Sequence, residues 1–451
     1  MASELRVDKI IPSSGTSIGI GTASGTINIL GNSQINTTGV ITATSFVASG
    51  TITGEHHGNG ANLTNIPAAN LTGTIADARI STLTASKLSG AFPALDGSAL
   101  TGVGVGTADS INTSGIITAT SLVQNSAFSH RNKIYNGDMR IAQRGDAHTN
   151  VGSSANTYTL DRWKLYVQNS SARFQIERNY DHSLPDGFLT SMRISCTTTD
   201  TSLAATDEVY LQQSLEGNDV FEFAKGTPSA KQYTLSFYAR SDKTGTYIVR
   251  LLGRDNTTSN CSAAYTVTNT WTRYVITFPA DTSSNRKDNP DNGEALRVMW
   301  YLVAGSGINN GTLQTTWANS SDTGAATGQV NFADNNSNRD FYLTGCQLEV
   351  GPVATPFEHI PYTEQLTRCE RYYQKYGEQR QMWMTNVNGT DHRKVISFPT
   401  SMRTAPTMNL YDQSVDGSSV SAQYVNTKGY VCRLNGNGRH AAWKHEADAE
   451  F

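Results

Sequence analysis

None of the chain's six tryptophans, nineteen tyrosines or five cysteines falls before residue 131. The first 130 of its 451 residues therefore lack most of the large side chains around which a globular core is built. They hold ten charged residues and are otherwise mostly Thr, Ser, Gly, Ala, Asn and Ile. A stretch this poor in bulk can remain a disordered linker, or it can order by assembling with copies of itself. Disorder goes with low hydrophobicity and high net charge, whereas Ile, Val and Leu punctuate this stretch regularly.

Repetition argues for assembly. INTTGVITATSFV at 35–47 returns as INTSGIITATSLV at 111–123, and GANLTNI at 60–66 echoes GSALTGV at 97–103. The spacings share no common unit, so this is a loose array and not a strict solenoid. On a strand, Val40, Thr42, Thr44 and Phe46 share one face, and Ile41, Ala43, Ser45 and Val47 share the other. Each face carries apolar groups that a single chain cannot bury, and each strand edge needs a partner. Three copies wound around one axis meet both needs, which predicts a slender homotrimeric β-rich stalk over 31–130. Fully extended, the first ~130 residues would reach roughly 430 Å at most, and a wound stalk would be much shorter. The segment 76–92 reads as a short helix or as more loop.

Charge and cysteine usage exclude other classes. The formal net charge is −3, so nucleic acid is not an expected partner. No apolar run reaches 18 residues, so membrane insertion is not expected either. MASELRVDKI lacks the apolar stretch of a signal peptide. The cysteines (Cys196, Cys261, Cys346, Cys369 and Cys432) contain no CxxC spacing and read as small core residues of a chain made in a reducing cytoplasm.

Beyond residue 130 the chain reads as all-β. Alternation predicts strands at 158–167, 172–178, 189–196, 209–215, 232–240, 246–252, 271–278, 296–302 and 341–349. Turn-rich stretches such as TSSNRKDNPDNGE at 282–294 separate them. This number of strands predicts a β-sandwich of jelly-roll type over 131–362. A helix is expected at 363–376, with Thr363 as its N-cap and Leu366, Cys369, Tyr372 and Tyr373 as its apolar stripe. A small C-terminal β unit follows at 377–451.

Chemical motifs are few. GTSIG at 15–19 matches GxSxG, but it lacks the strand–turn–helix setting a nucleophile elbow needs. GVGVG at 102–106 has no βαβ context. HEADA near the end lacks the second histidine of a zinc protease, and no carboxylate pair can be singled out as a glycosidase pair. No catalytic residue, cofactor or metal is expected. EHHG at 55–58 reads as a polar turn. The alternative is a ring of imidazoles, one of His56 or His57 from each of three chains, able to hold a metal.

Sugar binding needs exposed aromatic rings with hydrogen-bonding groups beside them. Trp163, Trp271 and Trp300 sit in apolar strand patterns and read as core. Trp317 lies in a polar setting, TTWANSSDTG, with Asn319 and Asp322 beside it, and Trp383 and Trp443 come next. These five residues are the sequence's candidates for carbohydrate contact.

Several phrases resemble a known class. NLTGTIADARI and LDGSALTG are similar to repeats of tailed-phage tail fibres, those of marine cyanophages especially. NKIYNGDMRIAQRG, followed by YTLDRW, resembles the opening of a jelly-roll module of phage fibre proteins. FYLTGCQLEVGPVATPFEHIPYTEQLTRCERYYQKYG resembles its closing strand and the helix after it. The resemblance implies a virion tail fibre that attaches the particle to host surface polysaccharide, with residues 1–30 docking to other virion proteins. Two rivals remain: a glycan-cleaving tailspike-like enzyme, and a structural head or baseplate fibre with no receptor. Related carbohydrate-binding modules often hold calcium near this opening. Here Asp138 is present, but Arg140 stands where an acid is common and the closing strand has no Asp, so no calcium site is expected.

Overall fold

The computed structural model describes residues 130–451, apart from 153–154, 182, 335–338, 384–390, 416–418 and 436–439. The expected docking segment, the stalk, and His56 and His57 lie outside the described residues.

Thirteen strands build the larger part. In chain order they are β1 (Ala147–Val151), β2 (Ala155–Tyr158), β3 (Lys164–Gln168), β4 (Arg173–Asn179), β5 (Ser191–Thr198), β6 (Glu208–Glu216), β7 (Tyr233–Ser241), β8 (Gly245–Gly253), β9 (Ser259–Val267), β10 (Thr272–Phe278), β11 (Glu294–Ala304), β12 (Ala318–Asn319) and β13 (Arg339–Val350). They form two antiparallel sheets, a six-stranded one in the order β1-β4-β5-β13-β7-β10 and a seven-stranded one in the order β12-β9-β8-β11-β6-β3-β2. The alternation read from RFQIE holds: Phe174 and Ile176 face inward while Gln175 and Glu177 face out. The inner faces meet in one core, where Phe237 and Phe341 of one sheet touch Trp300 and Tyr247 of the other, at ring-centre distances of 5.9 and 5.4 Å. The result is the expected all-β sandwich.

The run expected as one strand at 158–167 is broken by a turn at 160–162, where Arg162 takes φ 72°. That turn drops Trp163 into the core against Trp300, 5.3 Å between ring centres, and its indole N–H donates to the Asn136 carbonyl at 2.9 Å. β9 was not anticipated. Its inward positions are mostly small or mixed (Cys261, Ala263, Tyr265, Val267), and its outward Asn260 and Ser262 are covered by a loop, so no clear alternation shows.

The opening phrase NKIYNGDMRIAQRG is stitched to the closing strand. Asn132 donates from its side chain to the Cys346 carbonyl (3.0 Å), and the Lys133 N–H donates to the Leu348 carbonyl (2.9 Å). Gly137 packs so closely that a Cβ there would lie 2.2 Å from the Cys346 oxygen. Gly137→Ala is therefore expected to lower stability by about 1–3 kcal/mol, readable as a shift in the denaturant midpoint. Asp138 is occupied by its neighbours: Arg140 donates to one carboxylate oxygen at 2.6 Å and Gln365 to the other at 2.7 Å. Arg140 thus places a positive charge directly beside the Asp138 carboxylate.

The helix is shorter than expected. A single turn, α1 (Gly217–Val220), follows β6, and α2 spans Tyr362–Glu370 with Pro361, not Thr363, at its N-cap. Its buried side is Gln365 and Cys369, with Leu366 only half-buried. Tyr372 and Tyr373 leave the helix because β14 (Tyr373–Trp383) begins there and pairs with the last strand. β15 (Asp391–Ser397), β16 (Thr407–Val415), β17 (Ser419–Asn426), β18 (Gly429–Asn435) and β19 (His440–Asp448) complete two three-stranded sheets, β14-β19-β16 and β15-β18-β17. Their shared core includes Ile396, Tyr430, Leu434 and Trp443. All five cysteines are buried and unpaired.

Candidate functional site

The five residues singled out for sugar contact do not form one site. Trp443 is a core residue, fully buried, its indole N–H donating to the Tyr430 hydroxyl at 2.9 Å. β19 alternates, and Trp443 falls on its inward face with His445 and Ala447. Trp317 is half-buried at the margin of the larger core. It donates to the Pro279 carbonyl at 2.8 Å and meets Tyr233 edge-on. Asn319 is exposed on β12 and accepts from Arg286 at 3.0 Å. Asp322 is exposed, 4.0 Å from Arg250. Trp383 ends β14, and its side chain lies outside the described residues.

Asp322 leads to a better-formed constellation. It borders the outer face of the seven-stranded sheet, where a strand protein ordinarily places short polar residues. Here three adjacent strands carry tyrosine in register: Tyr166 on β3 opposite Tyr210 on β6, and Tyr210 opposite Tyr301 on β11. Tyr166 and Tyr210 stack, 4.7 Å apart and 17° from parallel, and Tyr301 follows at 5.3 Å, tilted by 57°. The next row runs Lys164, Gln212, Met299 and Arg250 across four strands.

A loop roofs one side of this face. Ile308, Ala325 and Ala326 pack on Ile248, Leu252, Met299 and Tyr301. On the other side Tyr166, Lys164, Arg297 and Glu208 remain half-exposed. Arg250 ties roof to floor. Buried itself, it donates to the Tyr301 hydroxyl (3.3 Å), to Ser320 Oγ (2.9 Å) and to the Ser321 carbonyl (3.2 Å). Burial pushes the Glu208 carboxyl up to about 7, the Asp322 charge adding to the rise while Arg250 and a hydrogen bond from Tyr301 oppose it. Gln212, only 2% exposed, leaves Oε1 without a partner among the described residues, an acceptor that costs free energy until a donor reaches it.

Tyr210, Gln212, Arg250 and Tyr301 are all buried, so the part open to a ligand is the Tyr166 ring with Lys164, Arg297 and Glu208 around it, a ring face with charged groups able to meet a pyranose and its hydroxyls. These tyrosines were missed because only strand register brings them together. Read singly, each sits among apolar strand residues and looks like core.

The outer face of the six-stranded sheet is different. Trp271, expected in the core, is half-buried here, with Arg240 lying between it and Tyr342 at 5.6 and 4.1 Å from the two rings. Arg193 joins Glu177 (2.7 Å) and Asp340 (2.8 Å), and Arg240 joins Asp181 (3.2 Å). These charges are spent largely on one another. Among the described residues no three His, Cys, Asp or Glu side chains are grouped to hold a metal.

No family model and no curated protein matches the chain. Solved structures do. The enzymatically active domain of bacteriophage CBA120 tailspike protein 4 aligns at 11% identity and TM-score 0.27, over 49% of this chain and 21% of that one. A family 4 carbohydrate-binding module aligns at 14% identity and TM-score 0.25, over 48% of this chain and 97% of its own. The family 11 carbohydrate-binding module from Clostridium thermocellum, solved with a mixed-linked β-1,3-1,4 tetrasaccharide, aligns at 13% identity and TM-score 0.24, over 48% and 98%. The chain spans only about a fifth of the tailspike domain. At this level of overlap the likenesses bear on neither ligand nor chemistry.

Proposed function

We propose that this chain is a glycan-binding fibre protein whose larger sandwich recognises polysaccharide at Tyr166, the open end of the Tyr166–Tyr210–Tyr301 row. The observation that carries the reading is the half-exposed Tyr166 ring on the outer face of a sheet, held flat by stacking on the buried Tyr210. The half-exposed Lys164, Arg297 and Glu208 supply the hydrogen bonds that would orient hydroxyls. The fibre part of the reading rests on the resemblance of the stalk and opening phrases to phage fibres. On it, the chain is a homotrimer carried on a virion, residues 1–30 dock to other tail or baseplate proteins, and the sandwich meets the host surface. Three weak sites on one stalk would gain about 10²–10⁴-fold by avidity where the geometry allows.

A glycan array probed with the full chain tests this. Tyr166→Ala is expected to weaken binding about tenfold, close to 1.4 kcal/mol, and Tyr166→Phe to keep most of it, because the ring face does the work. Absence of any glycan signal, or equal binding by Tyr166→Ala, removes the proposal. Sedimentation as a single chain would remove the trimer.

One observation favours a second reading. Glu208 is half-exposed beside the Tyr166 ring, and burial, with the Asp322 charge adding to it, pushes its carboxyl up to about 7, the range in which a carboxyl serves as a general acid. Steady release of reducing ends from host polysaccharide, abolished by Glu208→Gln, would make the protein an enzyme. Their absence leaves binding alone.

A further inference from the structure

The segment between α1 and β7 sinks a lysine into the larger sandwich. Lys225 is 3% exposed, and its ammonium donates to the Asp288 carboxylate at 3.0 Å and to the Arg286 carbonyl. Asp288 is nearly as covered, with 6% of its side chain open. The Trp317 ring centre lies 5.7 Å from the ammonium. Gly253 lets β8 pass close to the same nitrogen, since a Cβ there would fall 2.9 Å from it.

The two residues are 63 positions apart, and the loop between β10 and β11 brings them together. Backbone contacts fix that loop from both sides. Gly226 donates its N–H to the Asp281 carbonyl at 2.7 Å, and a Cβ on it would fall 2.4 Å from the Lys287 Cα. The Asn289 N–H donates to Asp255 at 2.9 Å. Lys225 and Asp288 thus each have an anchored neighbour.

Ions buried this deeply lose their hydration, and only close pairing with full hydrogen bonding compensates the loss. Here an ammonium with three N–H groups meets two acceptors among the described residues. Burial pushes the Asp288 carboxyl up to about 6, with Asp255 and Asp281 adding to the rise and Lys225 opposing it. An amine beside a carboxylic acid is the form an apolar setting favours. It is also the reactive form, because a desolvated free amine is a nucleophile. Asp281 adds a second buried carboxylate within reach of Asp288 by charge. It is 2% exposed, and its Oδ2 has no partner among the described residues.

We propose that Lys225 and Asp288 join in an intramolecular amide bond that the protein forms by itself once folded. Lys225 Nζ attacks Asp288 Cγ, a C–N bond forms, and one C–O bond breaks. Asp281 takes the proton that the nitrogen sheds and passes it to the departing hydroxyl, which leaves as water. Nothing is oxidised or reduced, and no co-reactant enters. Fixed geometry does the work of an activating group, and the exclusion of water protects the product from hydrolysis. A neutral amide then stands where two ions were buried. The bond shares no residue with the tyrosine row, so it stands or falls apart from glycan binding.

Whole-protein mass spectrometry of the purified full chain, measured denatured, tests this. The expected mass is one water below that of the sequence. A tryptic digest should yield the segment containing Lys225 joined to the segment containing Asp288, with no cut after Lys225. Lys225→Met and Asp288→Ala should each show the full mass of its own sequence. Asp281→Asn should slow the joining about 100-fold, so that freshly made protein keeps its full mass. A wild-type chain at its full sequence mass would overturn the proposal, and that reading needs no variant to fold. A water loss that persists in Lys225→Met would overturn it too, because the dehydration would then lie elsewhere. Joining at the wild-type rate in Asp281→Asn would remove Asp281 from the step.

Discussion

Glu450→Ala is expected to cost about 3–5 kcal/mol, the usual penalty for stranding one member of a buried ion pair. Its partner Arg162 is 1% exposed. The guanidinium lies 3.4 Å from the centre of the Tyr372 ring, donates to the Ser214 carbonyl, and is paired with the Glu450 carboxylate. Burial alone would weaken its positive charge, and Glu450 more than restores it. Arg403 holds the same tail from outside, donating to the Ala449 and Glu450 carbonyls at 2.8 and 3.0 Å. Urea denaturation of Glu450→Ala measures the loss. Arg162→Met combined with Glu450→Leu should cost much less than the single change, because no uncompensated charge remains. A single-variant loss below about 1 kcal/mol would mean that water reaches Arg162 when the carboxylate is gone.

Acid should weaken the small C-terminal sandwich by up to about 3 kcal/mol between pH 6.5 and 4. The group responsible is His445, fully buried, stacked on Tyr376 at 4.8 Å and edge-on to Tyr430 at 5.3 Å. Neither ring nitrogen has a partner among the described residues. Burial pushes its pKa down to about 4, and Arg380 adds to the fall. The unfolded chain binds a proton near pH 6.5 and the folded chain does not until about 4. The unfolded state therefore gains protons across that window, and stability drops as pH falls through it. His445→Phe keeps the stacking and cannot protonate. The difference between wild type and this variant, from urea midpoints at pH 7 and 4.5, isolates the histidine from the carboxylates that titrate nearby. Parallel loss in both proteins would exonerate His445.

What could be read in advance follows the physics of each feature. Strands with strong alternation, such as Arg173–Asn179, were visible because burial imposes a period of two on a single strand. β9 was not, because small residues satisfy both of its faces. The end of α2 was misplaced because Cys369, Tyr372 and Tyr373 fit a helical stripe equally well, and only the demand of β19 for a partner decides against it. Trp163 and Trp300 were correctly assigned to the core, whereas Trp271 was not, since it precedes β10 at the sheet's edge. Asp322 was found from local polarity. The tyrosines beside it were not, because Tyr166, Tyr210 and Tyr301 are separated in the chain and meet only through pairing.

The stitching of residues 130–137 to the closing strand has a mechanical consequence. Glu358 accepts from the N–H groups of His130 (2.7 Å) and Asn132 (3.0 Å), and Cys346 and Leu348 accept from the next two donors. A pull along the chain arriving at residue 130 therefore loads several bonds at once, two of them on Glu358 after β13 and two on β13 itself, which is flanked by strands on both sides. Force bypasses the edge strand β1, which would otherwise unzip one bond at a time. A pull from that end would reach the middle of the six-stranded sheet before its rim.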